Sequence, residues 1–202
     1  MKTKFDRAVA EQVQVDLLEW GWELGCEIWT PAGSYRRGKE EIGDLELVYV
    51  PRFMPGFDRD LFGSNLDVNL ADLVLKKMMA AGRLVPRKTI RGNETMGGKN
   101  KLMRHTVTQL PVDFFATTKR NYWNYLVCRT GGEANNIAIC QAAKKRGMKW
   151  RPYEDGFDLA DGTRLHCENE EAVFAAVGLP WKVPREREGN RECGVRTGEK
   201  RI

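Results

Sequence analysis

The chain has 202 residues, of which 42% are hydrophobic and 30% are charged, and its formal net charge is +5. This composition fits one compact globular unit, or two small subdomains that share a cleft. No apolar run approaches the roughly 20 residues that span a bilayer, so we expect a soluble, cytoplasmic protein with no membrane partner. The five cysteines are scattered without a Cys-x-x-Cys pair, which argues against a zinc site and a disulfide framework.

The first half of the chain predicts helices and strands in alternation. Apolar residues at helical spacing indicate a helix over residues 6–24 that ends at Gly25. A short strand at 27–30, a helix from Ser34 and a strand at 45–50 follow. Residues 51–65 are rich in proline and glycine and predict a polar, turn-rich connection. A second long helix is expected from about Leu66 to the stop at Gly82, with Lys76 and Lys77 on its outer face.

The second half predicts a small antiparallel meander and then a helical region. The meander consists of a hairpin, 85–91 with 101–108, and a strand at 110–115. Helices are expected at 119–127 and 134–146, separated by a break at 129–132. Short strands at 149–153 and 164–167 precede a last helix that Asn169 caps and Gly178 ends. From Arg185 onward the chain is charged and poor in apolar residues, so we expect a mobile tail.

Residues 33–47 are the most informative stretch, because a phosphate-binding turn precedes two carboxylates on one strand face. Gly33 can adopt backbone angles that other residues avoid, so its amide and that of Ser34 can approach an anionic oxygen closely. A helix that starts at Ser34 would add its positive end. Asp44 and Glu46 lie two residues apart in an apolar run and leave the same face of the predicted strand. Paired acids of this kind repel, and a bound Mg²⁺ ion is the usual reason to keep them.

This pattern resembles the palm signature of the family X DNA polymerases, the DNA polymerase beta superfamily. Antibiotic adenylyltransferases share the Gly33–Ser34 turn and the paired acids, whereas the Arg36–Gly38 turn and Gly43 before Asp44 favour the polymerase branch. The resemblance implies an α+β fold. It comprises a nucleotidyltransferase palm at 1–127, with a mixed or antiparallel sheet and flanking helices, a small α/β thumb subdomain at 128–184, and the charged tail at 185–202.

The resemblance also implies the residues of the site. Asp113, on the predicted strand at 110–115, would join Asp44 and Glu46 as the third ligand of two Mg²⁺ ions, for which Mn²⁺ can substitute. Four residues would hold the triphosphate, namely Gly33, Ser34, Arg37 and Gly43. The start of the thumb would contact the incoming nucleotide through Thr130, Gly131, Gly132 and Asn136. DNA contacts would come from the hairpin, at Lys99, Lys101 and Arg104, and from the basic helix, at Lys144, Lys145 and Arg146.

The implied reaction adds a nucleoside monophosphate from a nucleoside triphosphate to a primer 3′-hydroxyl, on primed or gapped DNA, as in gap-filling repair. We expect a monomer, with Trp150 as a further candidate for DNA contact. The chain departs from the family at Glu46, where the best-known polymerases have Asp, and at Cys140, where a template-contacting Arg is expected. Residues ahead of Gly33 are too few for the lyase and fingers regions of the family, a trimmed form that occurs in viral and phage members. Two alternatives therefore stay open, a non-catalytic nucleotide or DNA binder and a nucleotidyltransferase that modifies a small molecule or a protein.

Overall fold

The computed structural model describes residues 3–59, 65–89 and 92–188. The elements of the first half are, in chain order, β1 (Phe5–Asp6), α1 (Arg7–Glu19), α2 (Trp22–Gly25), β2 (Cys26–Pro31), α3 (Gly33–Arg36), β3 (Glu41–Ile42), β4 (Leu45–Pro51), β5 (Phe53–Arg59), β6 (Asn65–Asn69) and α4 (Leu70–Ala80). Those of the second half are β7 (Leu84–Pro86), β8 (Asn100–His105), β9 (Pro111–Ala116), α5 (Tyr122–Thr130), α6 (Glu133–Lys145), β10 (Lys149–Trp150), β11 (Phe157–Asp158), β12 (Arg164–Leu165), α7 (Glu170–Ala176) and a 3₁₀ helix (Pro184–Glu186). No helix of the described ranges is both long and apolar enough to cross a membrane.

A mixed five-stranded sheet in the order β2-β4-β9-β8-β7 forms the centre of the molecule. Strands β4 and β9 are parallel, and the other neighbouring strands of this sheet are antiparallel. The predicted meander is therefore present as β7-β8-β9, and β9 continues it by joining β4. Flanking helices and this mixed sheet make the fold α+β, as the sequence predicted.

An apolar core holds β4 and β9 in place against the N-terminal helices. Trp22 is fully buried and contacts Tyr49 and Phe114 edge-to-face, with ring centroids 4.9 and 5.1 Å apart. Helix α1 adds Val13 and Leu17 to the same cluster. Each such side chain contributes about 1.5–3 kcal/mol through burial. The two strands that carry the predicted acids thus pack against a buried apolar layer.

A second core forms the C-terminal unit, and a smaller cluster joins this unit to the sheet. The second core contains Ile139 of α6, Trp150, Phe157 and Phe174 of α7. The joining cluster places α5 against β4 and β9. Because of this contact, the C-terminal end of α5 and the loop after it lie beside the sheet.

The first helix ends earlier than the sequence predicted. Helix α1 stops at Glu19, and Gly21 takes the left-handed conformation with φ 85° before the four-residue helix α2. The apolar spacing continues through this break, because Trp22 turns into the same core as α1. A prediction from apolar periodicity alone therefore gave one helix where the structure has two.

The segment predicted as a turn-rich connection is a β-hairpin. Strands β5 and β6 pair antiparallel, with Pro55 opposite Asp67, and a register shift follows Pro55. A two-stranded ribbon tolerates proline because each strand has a free edge. Residue 66 consequently lies in β6, and α4 begins at Leu70 after Asn69, whose side chain accepts a hydrogen bond of 3.1 Å from the Asp72 amide.

Boundaries in the C-terminal unit also differ from the predictions, and the short strands predicted at 149–153 and 164–167 span only Lys149–Trp150 and Arg164–Leu165. Helix α5 was predicted at 119–127 but spans Tyr122–Thr130, because residues 118–121 form a turn in which the Asn121 amide donates to the Thr118 carbonyl at 3.1 Å. The predicted tail begins at Arg185, yet Arg187 is fully buried and ion-paired to Glu170 at 2.8 Å. An ordered, packed segment therefore continues to residue 188, and the rest of the predicted tail, 189–202, lies outside the described residues.

Candidate active site

The three predicted acids lie at neighbouring positions on β4 and β9. Asp44 directly precedes β4, Glu46 is its second residue, and the parallel register pairs Glu46 with Asp113. The apolar neighbours of these acids in both strands are buried, which fixes the backbone beneath the carboxylates. Asp44 and Glu46 line a cavity of about 340 Å³, which we call the carboxylate pocket.

The surroundings of Glu46 strongly change the pKa of its carboxyl group. Its pKa is raised to about 7, chiefly by burial; the charges of Asp44 and Asp113 add to this effect, and those of Arg129 and Arg37 oppose it. A carboxylate in such a place favours a bound proton or a nearby cation. The charge state of Glu46 thus depends on two other acids next to it, Asp44 and Asp113.

Asp113 forms a bidentate ion pair with Arg87. The Arg87 Nη2 donates to both carboxylate oxygens, at 2.7 and 2.6 Å, and its Nε donates to Oδ1 at 3.1 Å. Asp113 is only 6% exposed, so this pair compensates a charge that would be costly to bury alone. Sequence analysis did not identify Arg87, which lies in the predicted hairpin without any motif.

The donor set suits a hard divalent cation, although the side chains as they stand do not form a finished metal site. Carboxylate oxygens are the ligands that Mg²⁺ prefers, and Glu46 and Asp113 face each other across adjacent strands. Within residues 3–59, 65–89 and 92–188, no group of three or more His, Cys, Asp or Glu side chains is positioned to hold a metal ion. The Arg87–Asp113 pair gives a physical reason, because the guanidinium occupies the oxygens that a cation would need.

Gly33 makes the close approach that its turn requires. Its φ is 58°, and a Cβ at this position would lie 2.8 Å from Oε2 of Glu46. The Ala32 amide donates to the Glu46 carbonyl at 2.8 Å, which ties the turn to β4. Both Gly33 and Ser34 line the carboxylate pocket. Because α3 has only four residues, the backbone amides of the turn matter more than a helix dipole.

The two arginines of the predicted turn have different surroundings. Arg36 donates to Glu170 through two hydrogen bonds, of 2.8 and 2.9 Å, and to the hydroxyl of Thr130 at 2.8 Å. Arg37 lines the carboxylate pocket, where its Nη1 donates to the Thr130 carbonyl at 2.8 Å and its Nε donates to Glu188 at 3.1 Å. Arg36 therefore joins the two units, and Arg37 is the one placed at the pocket.

The predicted nucleotide-binding residues of the loop after α5 divide into two groups. Gly131 and Asn136 line the carboxylate pocket, and a Cβ on Gly131 would lie 2.6 Å from the Asn136 Oδ1. That buried oxygen has no hydrogen-bond partner among the described residues, whereas Nδ2 of the same side chain donates to the Cys128 carbonyl at 2.8 Å. Thr130 is fully buried, and Gly132 donates its amide to the Arg187 carbonyl at 3.3 Å. Thr130 and Gly132 are thus not among the residues that line the pocket, and they contact neighbouring parts of the fold instead.

Arg129 and Tyr153 are site residues that the sequence analysis missed. The Arg129 guanidinium lies 3.5 Å from the ring centroid of Phe115 and 5.4 Å from that of Tyr153, and its Nη1 is 3.8 Å from Oε1 of Glu46. Both residues line the carboxylate pocket and a second cavity of about 590 Å³ beside it, which Lys99 also lines. The position of Arg129, directly before Thr130, could have indicated its role, but the sequence analysis assigned it to the break between two helices.

Most of the predicted DNA-contacting cations are exposed, with one exception. Exposed positions are Lys99, Arg104, Lys144, Lys145 and Arg146. Lys101 is only 6% exposed and forms an ion pair of 2.9 Å with Asp72, so a DNA contact by this residue is not compatible with its position. Trp150 is also buried, and its Nε1 donates to Asn124 at 2.6 Å. The predicted DNA contact of Trp150 is therefore also wrong, because its ring packs in the second core.

Gly43 occupies a different position from the pocket glycines. It is buried directly before Asp44, at the entry of β4. Gly43 is not among the residues that line the carboxylate pocket, so its contact with the triphosphate stays a prediction.

A comparison with known families gives a match for the C-terminal unit. Residues 125–188 match the family model described as DNA polymerase beta thumb. The matched range begins within α5, contains Gly131 and Asn136 of the carboxylate pocket, and ends with the segment that carries Arg187. It agrees with the resemblance that the palm signature at 33–47 indicates independently. The thumb match, together with the palm-like signature and the α+β fold, supports a family X DNA polymerase-like protein.

Proposed function

We propose that this protein is a metal-dependent nucleotidyltransferase that adds a nucleoside monophosphate to a primer 3′-hydroxyl. The observation that carries the proposal is the composition of the carboxylate pocket. Its acids come from Asp44 and Glu46, with Asp113 opposite Glu46, and its other walls come from the Gly33 turn, Arg37 and the thumb residue Gly131. A triphosphate, a nucleoside and a cation site would thus meet at one place.

The anionic end of the substrate would lie on the turn and Arg37. The amides of Gly33 and Ser34 can approach a phosphate oxygen because Gly33 has no Cβ. Arg37 adds a planar guanidinium, whose charge-assisted hydrogen bonds to phosphate are stronger than neutral ones. The Oδ1 of Asn136, another pocket residue, has no hydrogen-bond partner in the described part of the chain and can accept a hydrogen bond from the nucleotide.

The carboxylates of Asp44, Glu46 and Asp113 would hold Mg²⁺, or Mn²⁺ in its place. When bound, these ions lower the pKa of the attacking hydroxyl and neutralise the charge of the triphosphate. The chain itself would position the reacting groups. In the proposed step the primer 3′-hydroxyl loses its proton to solvent and its oxygen bonds to the α-phosphorus, while the bond to the β-phosphate oxygen breaks and pyrophosphate leaves. In phosphoryl transfer of this kind, positioning and charge neutralisation account for nearly all of the catalysis.

Primed or gapped DNA is the proposed acceptor. The thumb match favours DNA as the partner, and the C-terminal end of α6 presents Lys144, Lys145 and Arg146 to solvent. Lys99 lies at the second cavity, directly beside the carboxylate pocket, where it could contact a strand that enters the site. Gap filling in repair is the proposed role, because a gap supplies a primer end and a template within reach of one small protein.

Pyrophosphate release tests the acceptor class. The protein is incubated with each nucleoside triphosphate and Mg²⁺, with gapped, blunt or no DNA, and with EDTA as the metal-free control. The proposal predicts release that needs both the metal ion and primed DNA. Release without DNA would contradict it and favour a small-molecule or protein acceptor, and nucleotide binding without any release would favour a binding module.

A further inference from the structure

Arg87 reaches Asp113 from a backbone position that the sheet holds in place. Its amide donates to the Leu102 carbonyl at 3.0 Å, and Leu102 is the β8 register partner of Asp113 on β9. The backbone of Arg87 is therefore anchored close to Asp113, within reach of its side chain. Its three hydrogen bonds engage both oxygens of the carboxylate.

The two partners differ in their freedom to move. Asp113 is 6% exposed, lies within β9 and faces Glu46, so its carboxylate has little room for relocation. The Arg87 side chain is 28% exposed and follows the end of β7, so its charged end can turn toward solvent. If one partner must leave the pair, the geometry favours departure of the arginine.

The pair also opposes the proposed reaction. Carboxylate oxygens are preferred ligands of divalent cations, and both oxygens of Asp113 accept hydrogen bonds from Arg87. The arginine and the cation neutralise the same negative charge, so they are alternatives at this position. Resting on the proposed function, we infer that Arg87 is a positioning residue that competes with a divalent cation for Asp113 and releases the carboxylate when the cation binds.

Binding of Mn²⁺ in the absence of nucleotide and DNA tests this inference without any activity measurement. Free Mn²⁺ is followed by electron paramagnetic resonance during titration of wild type, Arg87→Ala and Lys88→Ala. Lys88 is the matched control, because it is the exposed neighbour and its replacement removes the same positive charge. We expect the Mn²⁺ dissociation constant to fall by about tenfold in Arg87→Ala, the loss expected for one charge-assisted pair, and to stay within about twofold of wild type in Lys88→Ala.

Two further variants keep the test decisive. Arg87→Lys retains the charge without the two-pronged geometry, so it should fold even if Arg87→Ala does not, and it should bind Mn²⁺ more tightly than wild type. Adding Asp113→Asn to either variant should remove the gain. Equal or weaker Mn²⁺ binding by folded Arg87 variants would overturn the competition and leave the proposed reaction intact. Absence of Mn²⁺ binding by wild type and every variant would overturn both.

Discussion

At the scale of single residues, Gly33 is the position where the phosphate turn and the acid strand meet most closely. Its positive φ and the 2.8 Å approach to Oε2 of Glu46 exclude a side chain for two separate reasons. Gly38 shares only the first reason, because its φ is 77° but a Cβ there would meet nothing within 4 Å. Alanine substitutions at Gly33 and Gly38 therefore distinguish the effect of backbone strain from that of crowding at the site.

We predict that Gly33→Ala abolishes nucleotide transfer, whereas Gly38→Ala retains it. Each substitution should lower the free energy of unfolding by about 1 kcal/mol or more, because alanine is strained at positive φ. Only the alanine at position 33 would also displace the Glu46 carboxylate. Urea unfolding and single-turnover nucleotide incorporation of both variants check this, and an active Gly33→Ala protein would show that the close approach is unimportant.

Arg37 carries the second residue-scale prediction. Arg37→Ala should weaken nucleoside triphosphate binding by about tenfold or more, because a charge-assisted hydrogen bond contributes roughly 1.5–3 kcal/mol. Lys77→Ala, which removes an exposed charge from α4, serves as the control. Equilibrium titration with each nucleotide measures the change, and equal affinities for wild type and Arg37→Ala would refute the assignment.

Site residues could be predicted from the sequence only where neighbours in the chain are neighbours in the site. Asp44 and Glu46 are two residues apart on one strand, so alternation alone brings them together. Arg87 meets Asp113 across the sheet, and Arg129 reaches Glu46 from the end of α5. Such contacts depend on strand order and helix placement, which no local pattern specifies.

At the scale of elements, a largely buried ion cluster joins the N-terminal part of the fold to the C-terminal unit. Glu170 at the start of α7 accepts hydrogen bonds from Arg36 of α3 and from the fully buried Arg187. Burial tends to raise the pKa of Glu170, but the hydrogen bonds and charges of Arg36 and Arg187 outweigh this effect and lower the pKa below its ordinary value. The cluster therefore needs the ionised form of this glutamate.

This lowered pKa gives a pH dependence with a definite sign. The stabilisation by Glu170 is fully present above its ordinary pKa of about 4.3 and is lost as the pH falls through the lower folded-state value. Glu170→Gln should lower the free energy of unfolding at pH 7 by about 3 kcal/mol, because it leaves the buried Arg187 and the partly buried Arg36 without their acid. It should also flatten the loss of stability below about pH 4.3.

Denaturant unfolding between pH 3 and pH 7 measures both effects. Glu171→Gln is the matched control, since this neighbouring glutamate is exposed and its replacement removes the same charge. A Glu170→Gln protein as stable as the control would contradict the role of the cluster.

Elements were predictable where an apolar pattern ended at a strong stop signal. Strand β4, helix α6 and helix α7 lie close to their predicted positions, and the amide of Ala172 donates to the Asn169 side chain at 2.7 Å, as a helix cap requires. The β5–β6 hairpin was missed because its proline and glycine are turn residues by composition but belong to paired strands. Tertiary pairing outweighed the local preference there.

At the scale of the whole molecule, the positive charge of the thumb should determine the affinity for DNA. Phosphate contacts release counterions, so the slope of log K against log salt is about −0.9 for each neutralised phosphate. We predict salt-sensitive, sequence-independent binding to primed duplex. Replacing Lys144, Lys145 and Arg146 with alanine should weaken this binding and make the slope shallower.

Fluorescence anisotropy over a range of salt concentrations measures both quantities. Replacement of the exposed Lys76 and Lys77 of α4 is the control, which should leave the slope close to the wild-type value. If the α6 variant and this control behave alike, the three cations are ordinary solvated charges.

The general architecture was predictable from the sequence because its signals are local, whereas the joint between the two units was not. The turn at 33–38, the acid pair and the Gly131 loop each lie within a few residues, and they indicated the α+β fold and the thumb. The cluster of Arg36, Glu170 and Arg187 joins residues more than 130 positions apart, so it emerges only in the folded molecule.

Primer extension on gapped DNA by wild type, Asp113→Asn and Asp44→Asn tests the central claim most directly. Asp67→Asn, at an exposed acid on β6, is the matched control, and thermal unfolding confirms that each protein is folded. The proposed site predicts extension by wild type and the control only when Mg²⁺ or Mn²⁺ is present, and none by the two site variants. Undiminished extension by a folded Asp113→Asn protein would contradict it.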